Sequence, residues 1–384
     1  MQFEFATATR IVFGRGTAKK IPTFAAEMGC RAFVVTGRTA KRLAPMLQAL
    51  QDKGLQTSLF SVGGEPTTDL VWEGVQKARE FQTDLVIAIG GGSAIDAGKA
   101  IAAMITNSGR LEDYLEVVGK GQPITETPAP CIAVPTTAGT GAEVTRNSVI
   151  GVPEQAVKVS MRSPMMLPTI AIVDPELTRS MPPAVTASTG LDALTQLIEV
   201  FVSRKANPLT DGICREGIVR AGRSLRRAFN HDDDMDARED MALAGLFGGL
   251  ALANAKLGAV HGFAGPLGGM IDAPHGVICA RLLPHVMEIN LRALQQRMPD
   301  SPALERYRET AQLVTENEKA TASDGVTWIQ ILCRELAVEP LCNYGLTDER
   351  FAEAVEKSQK ASSMQGNPIT LTDNELTEIL SNAM

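Results

Sequence analysis

The sequence predicts an α/β domain over residues 1–182, built on a parallel sheet, followed by an all-α domain over residues 183–384. Three observations predict it. Up to about Asp174, short β-rich runs alternate with helical segments, as parallel strands do when each is followed by a covering helix. Past Asp174-Pro175 and the Met181-Pro182-Pro183 break, strand signals nearly vanish and long helical periods take over. A chain of 384 residues, 44% of them hydrophobic, also exceeds what one core usually organises.

In chain order, the first residues alternate like a strand, and Gln2 to Phe13 are expected as an edge strand that can pair across a dimer. Further strands are expected at Ala32–Thr36, Thr57–Ser61, Leu85–Ile89, Cys131–Pro135 and Ile170–Val173. The most informative stretch is Asp84 to Lys99, where an apolar strand runs into Gly90-Gly91-Gly92 and then into an alanine-rich helix. Glycines let the backbone approach an anion, and the helix start offers unpaired N–H groups and the positive end of its dipole. Ser93 is expected to cap that helix and to donate to a phosphate. Ile95 stands where a Gly-x-Gly-x-x-Gly fingerprint has its third glycine, so an ordinary tight turn is the plainer alternative. A second loop, Pro135 to Thr145, crowds hydroxyls and glycines at a strand end, where they can grip ribose, phosphate or a nicotinamide amide. Two such loops in one sheet point to a dinucleotide. The candidate cofactor-binding residues here are Gly90, Gly91, Gly92, Ser93, Asp96, Thr136, Thr137, Gly139, Thr140 and Thr145.

In the second half, helices are expected at Ala184–Ser203, Asp211–Phe229 and Arg238–Leu257. The acidic run from His231 to Asp236 fails as a calcium loop, with Ala237 where glycine is needed and Leu243 where the closing glutamate belongs, and reads as a solvated helix start. Asp192 and Gln196 are four apart and share a helix face. His261 reads as closing an alanine- and glycine-rich helix, and His275 follows Pro274, with Pro266 and Pro274 forcing a break between the two. One carboxylate and two imidazoles suit Zn²⁺ or Fe²⁺ with a position left for a substrate oxygen; two ordinary histidines and a capping Asp are the plainer alternative. A ligand of an open α/β sheet lies beyond the carboxyl ends of its strands, so the expected site is the cleft between the two domains.

Composition narrows the partners. A net charge of −7 without a long Lys/Arg run argues against nucleic acid and anionic lipid. No apolar stretch approaches the ~20 residues of a membrane span, and the N-terminus lacks the order of a signal peptide, so a cytoplasmic location is expected. Six scattered cysteines without a Cys-x-x-Cys pair read as reduced, mostly buried thiols. No Gly-x-Ser-x-Gly elbow suggests a hydrolase.

Taken together, the glycine loop, Pro135-Thr136-Thr137-Ala138-Gly139-Thr140-Gly141, Asp174-Pro175, Leu191-Asp192-Ala193-Leu194-Thr195, His261-Gly262, Pro274-His275-Gly276 and Asn367-Pro368 resemble, in order and over nearly the whole chain, the iron-containing (group III) alcohol dehydrogenases. Glycerol dehydrogenases and maleylacetate reductases are related branches. The resemblance implies a dehydroquinate synthase-like two-domain fold, with a Rossmann-like dinucleotide domain and a helical metal and substrate domain. It also implies hydride transfer between NAD(P) and a small alcohol, aldehyde or ketone, with a divalent metal polarising the oxygen; the strand-forming N-terminus separately favours a homo-oligomer, most simply a dimer. Asp192, His261 and His275 fall on catalytic metal-ligand positions, and Gln196 stands on the fourth, normally histidine, where its carbonyl oxygen is a weaker donor. Gly265 replaces a further histidine that many members carry near the nicotinamide.

NAD-preferring relatives often end the second strand with an Asp. Here Gly37 removes that carboxylate and Arg38, Lys41 and Arg42 follow, which favours NADP(H) beside NAD(H). Three other readings stay open. In a metal-independent reductase like the maleylacetate branch, Gln196, His261 and His275 would donate hydrogen bonds to the substrate oxygen. A dehydroquinate-synthase-type lyase would need a basic cluster, whereas Gly262 to Gly269 is small and apolar. A non-catalytic scaffold would have no use for Asp192, His261 and His275.

Overall fold

A computed structural model describes residues 2–38, 40–155 and 157–384; the side chains of Ala40 and Lys41, and so the expected phosphate contact of Lys41, lie outside the described residues. The strands are β1 (Arg10–Phe13), β2 (Arg31–Thr36), β3 (Gln56–Ser61), β4 (Leu85–Gly90), β5 (Cys131–Pro135), β6 (Asn147–Val152), β7 (Val157–Arg162) and β8 (Ile170–Val173). Six of them form one sheet in the order β1-β8-β5-β4-β2-β3, every pairing parallel. The helices of this part are α1 (Ile21–Ala26), α2 (Ala44–Asp52), α3 (Thr68–Glu80) and α4 (Gly92–Thr106). Alternate strand residues feed two cores. Phe33, Val35, Val86 and Ala88 enter one, and Ala32, Val34, Leu85, Ile87 and Ile89 enter the other, which is why β4 is apolar throughout.

Two sequence expectations are corrected here, and one unforeseen element is added. The N-terminal strand is Arg10–Phe13 and not Gln2–Phe13, because its one partner, β8, offers only the four positions Ile170–Val173. The antiparallel pair β6-β7 was not foreseen; its mixed sequences, Asn-Ser-Val-Ile-Gly-Val and Val-Lys-Val-Ser-Met-Arg, carry little contrast between faces. Ser93 does not cap α4. The cap is Gly91, extended at φ −73° and ψ −178°, and the amides of Ala94 and Ile95 already donate to its carbonyl at 3.0 and 3.2 Å.

The remaining helices are α5 (Pro183–Val202), α6 (Pro208–Asn230), α7 (Met235–Asn254), α8 (Ala259–Met270), α9 (His275–Arg297), α10 (Pro302–Thr315), α11 (Ala322–Glu335), α12 (Phe351–Lys360) and α13 (Asp373–Ala383). Helix α5 is buried at every residue from Gly190 to Val202 and packs on α6, α7 and α9. Asp234 caps α7 by accepting from the Ala237 N–H, so the acidic run is a helix start as expected.

One further expectation fails in this region, and another, the break between the two histidines, holds except for the role given to Pro266. Helix α7 stops at Asn254, so His261 opens α8 instead of closing the helix before it. Pro266 sits inside α8, whose buried Val260, Phe263, Ala264 and Leu267 hold the helix past one missing hydrogen bond; the break falls at Ile271–Pro274.

By contacts, one compact unit comprises Ala6–Thr137 and Gly141–Thr178. The other comprises Ala138–Thr140 and Arg179–Met384, with the N-terminal residues through Phe5. Residues 138–140 lie between helices α5 and α7: a Cβ on Gly139 would meet Thr189 Cβ at 2.7 Å, and one on Gly245 would meet the Gly139 nitrogen at 2.9 Å. All six cysteines are free, four of them buried. Among the described residues no single helix is long and apolar enough to cross a membrane.

Candidate active site

Helix α5 carries Asp192, Gln196 and Glu199 at offsets of four and three, hence on one face, all nearly inaccessible to solvent. Facing Asp192 are two histidines from the first turns of consecutive helices. His261 Nε2 lies 3.2 Å from Asp192 Oδ1, and His275 Nε2 lies 3.9 Å from the same oxygen. One turn beyond His275 on α9, Cys279 Sγ is 3.7 Å from His261 Nε2 and 3.6 Å from His275 Nε2. The four donor atoms all lie within 4.8 Å of one another. The sequence reading had brought together Asp192, His261 and His275, and the structure does so too; it had left Cys279 among the inert thiols.

The start of α8 explains how His261 is held. Its cap residue is Gly258, which has no side chain to satisfy the exposed amides of the first turn. Other elements satisfy them: Asn367 Oδ1 accepts from the Ala259 N–H at 3.2 Å, and Glu199 accepts from the Val260 N–H at 2.6 Å and the His261 N–H at 3.3 Å. A Cβ at position 258 would lie 2.8 Å from Glu199 Oε1, so the carboxylate reaches the helix end only over a glycine. The same Glu199 accepts from His261 Nδ1 at 2.6 Å. With Nδ1 donating to Glu199, Nε2 faces Asp192, His275 and Cys279; it donates to Asp192 when protonated and would offer its lone pair to a cation when not, the arrangement of a carboxylate–histidine–metal relay. Glu199 and Asn367 were passed over as functional residues in the sequence because their contacts span 62 and 108 positions.

Electrostatics favour a cation at this point. Burial pushes the Asp192 carboxyl up, but the His261 hydrogen bond and the His275 charge outweigh it and hold the group below the usual carboxylate range. Burial works against a charged His261, yet Cys279, Asp192 and Glu199 raise it well above an ordinary imidazole. His275 is raised chiefly by Cys279. These four side chains could hold a divalent cation, which would take the place of the protons they bind. On the same face of α5, Gln196 Oε1 is buried without a hydrogen-bond partner among the described residues, and a Cβ on Gly248 would lie 2.6 Å from it. At Gly265 a Cβ would meet nothing within 4 Å.

The glycine loop sits at the carboxyl ends of β2, β4 and β5. A Cβ on Gly90 would come within 2.7 Å of Ala94 Cβ and 3.3 Å of the Gly37 nitrogen, while one on Gly91 would lie 3.5 Å from Thr137 Cγ2. Thr136 donates its N–H to the Gly90 carbonyl at 2.8 Å. Gly37, Gly90, Gly91, Thr136 and Thr137 are thus neighbours, and α4 begins at Gly92 beside them. Gly139 and Thr140 belong instead to the helical unit.

Asp96 and Thr145 are engaged by a residue the sequence reading did not single out, Lys99. Its buried ammonium pairs with Asp96 Oδ1 at 3.0 Å and donates to Thr145 Oγ1 at 3.0 Å, to the Ala142 carbonyl at 2.9 Å and to the Asn147 carbonyl. Asp96 also accepts from the Val149 N–H, so this network pins the 142–149 segment to α4. The i, i+3 spacing of Asp96 and Lys99 was the available signal. Arg38, an exposed side chain, donates through Nε to the Gly63 carbonyl.

Comparison with known proteins shows the family. A family profile for iron-containing alcohol dehydrogenase matches residues 8–175, and one for the C-terminal part of the Fe-containing alcohol dehydrogenase family matches residues 186–384. The chain is similar to alcohol dehydrogenase 4 of Schizosaccharomyces pombe, 35% identical over 337 residues that cover 87% of this chain and 77% of that one. It is similar in structure to a 1,3-propanediol oxidoreductase, with a TM-score of 0.92 and 32% identity over 100% of both chains. A sulfoacetaldehyde reductase from Bifidobacterium kashiwanohense, solved with NAD⁺, gives a TM-score of 0.87 at 30% identity, covering 100% of this chain and 99% of that one.

Proposed function

The chain belongs to the iron-containing alcohol dehydrogenase family, an oxidoreductase acting on CH–OH groups, and from that premise we propose how its residues serve hydride transfer between NAD(P)(H) and a small alcohol, aldehyde or ketone. The observation that carries the reading is the convergence of Asp192, His261 and His275, with the His261 tautomer set by Glu199. These side chains would hold Fe²⁺ or Zn²⁺, and Gly37, Gly90, Gly91, Gly92, Thr136 and Thr137 would line the dinucleotide. When bound, the nicotinamide supplies or takes the hydride and the cation supplies Lewis acidity toward the substrate oxygen.

Asp192 contributes a negative charge buried away from solvent, which attracts the cation and excludes a bulky anion. Glu199 keeps His261 from rotating and keeps its proton on Nδ1. Glycines at 90 and 91 let the backbone amides of α4 come close to a pyrophosphate, and the helix dipole favours that charge. Gly37, lacking a carboxylate, removes repulsion toward a 2′-phosphate, and Arg38 follows it to pair with one, which supports use of NADP(H) as well as NAD(H). Six unpaired thiols support a reducing compartment, hence the cytoplasm. The matches favour neither the lyase nor the scaffold alternative.

The test is elemental analysis of the purified protein, with NADH and NADPH oxidation on a panel of short aldehydes before and after chelation. Bound Fe or Zn and turnover that chelation abolishes and metal restores is the expected result, with Asp192→Asn losing both metal and turnover. Full turnover on metal-free protein would overturn the metal assignment and move the chemistry to hydrogen bonding by Gln196, His261 and His275.

A further inference from the structure

We propose that Cys279 is the fourth protein ligand of the metal, its thiolate supplying the donor that Gln196 does not. The inference rests on the metal-dependent reading above and goes beyond it in naming the donor set and the metal it selects.

Helix α9 begins at His275, so Cys279 is four residues along and on the same face. Cys279 is buried in the helical unit's core, yet its sulfur lies 3.6 and 3.7 Å from two imidazole nitrogens. For a tetrahedral zinc site with Zn–N of about 2.0–2.1 Å and Zn–S of about 2.3 Å, simple geometry puts donor–donor edges at roughly 3.3–3.6 Å. Of the six edges here, four are 3.2, 3.6, 3.7 and 3.9 Å and the other two lie within 4.8 Å, so the cluster is somewhat more open than the liganded tetrahedron. What sets Cys279 apart from the other buried cysteines is this pair of imidazole contacts: Cys333 donates to the Ala280 carbonyl, and neither Cys131 nor Cys214 joins a group of His, Cys, Asp or Glu donors among the described residues. Gln196 lies against Gly248 on α7, a contact that the smallest residue makes possible.

Ligation would release the protons that the cluster holds to solvent and leave one thiolate and one carboxylate against a dication. A soft sulfur donor moves selection toward Zn²⁺ and away from Fe²⁺, and its charge lowers the Lewis acidity of the bound ion relative to a third imidazole.

Cobalt substitution reads this directly. The purified enzyme is stripped with chelator and titrated with Co²⁺, and its absorption spectrum is recorded. We expect visible ligand-field bands together with a near-ultraviolet sulfur-to-cobalt charge-transfer band. In Cys279→Ser the charge-transfer band should vanish, the ligand-field bands should persist, and Co²⁺ should bind roughly 10- to 100-fold more weakly. Ligand-field bands without charge transfer in the unaltered enzyme would overturn the sulfur ligand while leaving the metal-dependent reading intact. Absence of any cobalt uptake would overturn both, and a Cys279→Ser spectrum identical to that of the unaltered enzyme would overturn the ligand alone. Zinc X-ray absorption on the unaltered enzyme needs no variant: one sulfur scatterer at about 2.3 Å supports the assignment, and none refutes it.

Discussion

Glu199 does two things with one carboxylate: it closes the first turn of α8 and it orients the imidazole that opens that turn. Glu199→Gln keeps an acceptor for one partner and loses the charge, so metal affinity should fall about 10- to 100-fold with helicity unchanged. Competition against a chromophoric chelator, beside far-ultraviolet circular dichroism, measures both; unaltered affinity would remove Glu199 from the relay. A second buried carboxyl acts on stability. Burial pushes Glu143 up to about 7, against a backbone hydrogen bond and the Lys99 charge that pull it down. Between the ordinary glutamate value and 7 the folded chain keeps a proton that the unfolded chain has released, so folding stability falls as pH rises through that window. The loss should total about 3 kcal/mol, and Glu143→Gln should flatten it; denaturant midpoints from pH 5 to 8 that show no such difference between the two proteins would refute it. Of the site residues, Asp192, His261 and His275 were legible because motif order identifies them. Cys279 was not, since cysteine spacing was weighed only against other cysteines, and the helix that pairs it with His275 begins after a proline break.

At the scale of the element, what the sequence conveyed was periodicity and what it withheld was junctions. The strands expected at Leu85–Ile89, Cys131–Pro135 and Ile170–Val173 appear within a residue of those bounds because each is buried on both faces and reads as an unbroken apolar run. Helix α7 was overrun to Leu257 because Ala255, Lys256 and Leu257 are good helix formers; the helix ends where Asn367 and Glu199 instead nucleate a new one at Ala259. Packing likewise overrides propensity at Gly98, whose Cβ would sit 2.5 Å from Ala88 Cβ. Gly98→Ala improves the intrinsic helix propensity of α4, yet should destabilise the protein by about 1–3 kcal/mol as the helix is pushed off β4. A denaturant midpoint equal to or above that of the unaltered chain would show that the helix yields without cost.

For the whole molecule, the alternation of strands and helices followed by helices alone was enough to give the layer architecture, whereas no local pattern reports which residues cross from one compact unit to the other. Strand β1 lies at the edge of the sheet, and we expect a second copy to pair along the N-terminal segment. Sedimentation should give a dimer for the full chain and a monomer for a variant lacking residues 2–7; equal masses would place any dimer contact elsewhere. The excursion of residues 138–140 has a consequence for descent as well as for folding. Those three residues are encoded upstream of Arg179, where the continuous segment of the helical unit begins, but their steric partners, Thr189 and Gly245, are encoded downstream of it. Recombination at the seam between halves therefore does not exchange free-standing cassettes. A crossover there inherits a three-residue lock from one parent and its keyhole from the other, so hybrids between diverged relatives should survive only when the small residues at 139 and 245 travel together.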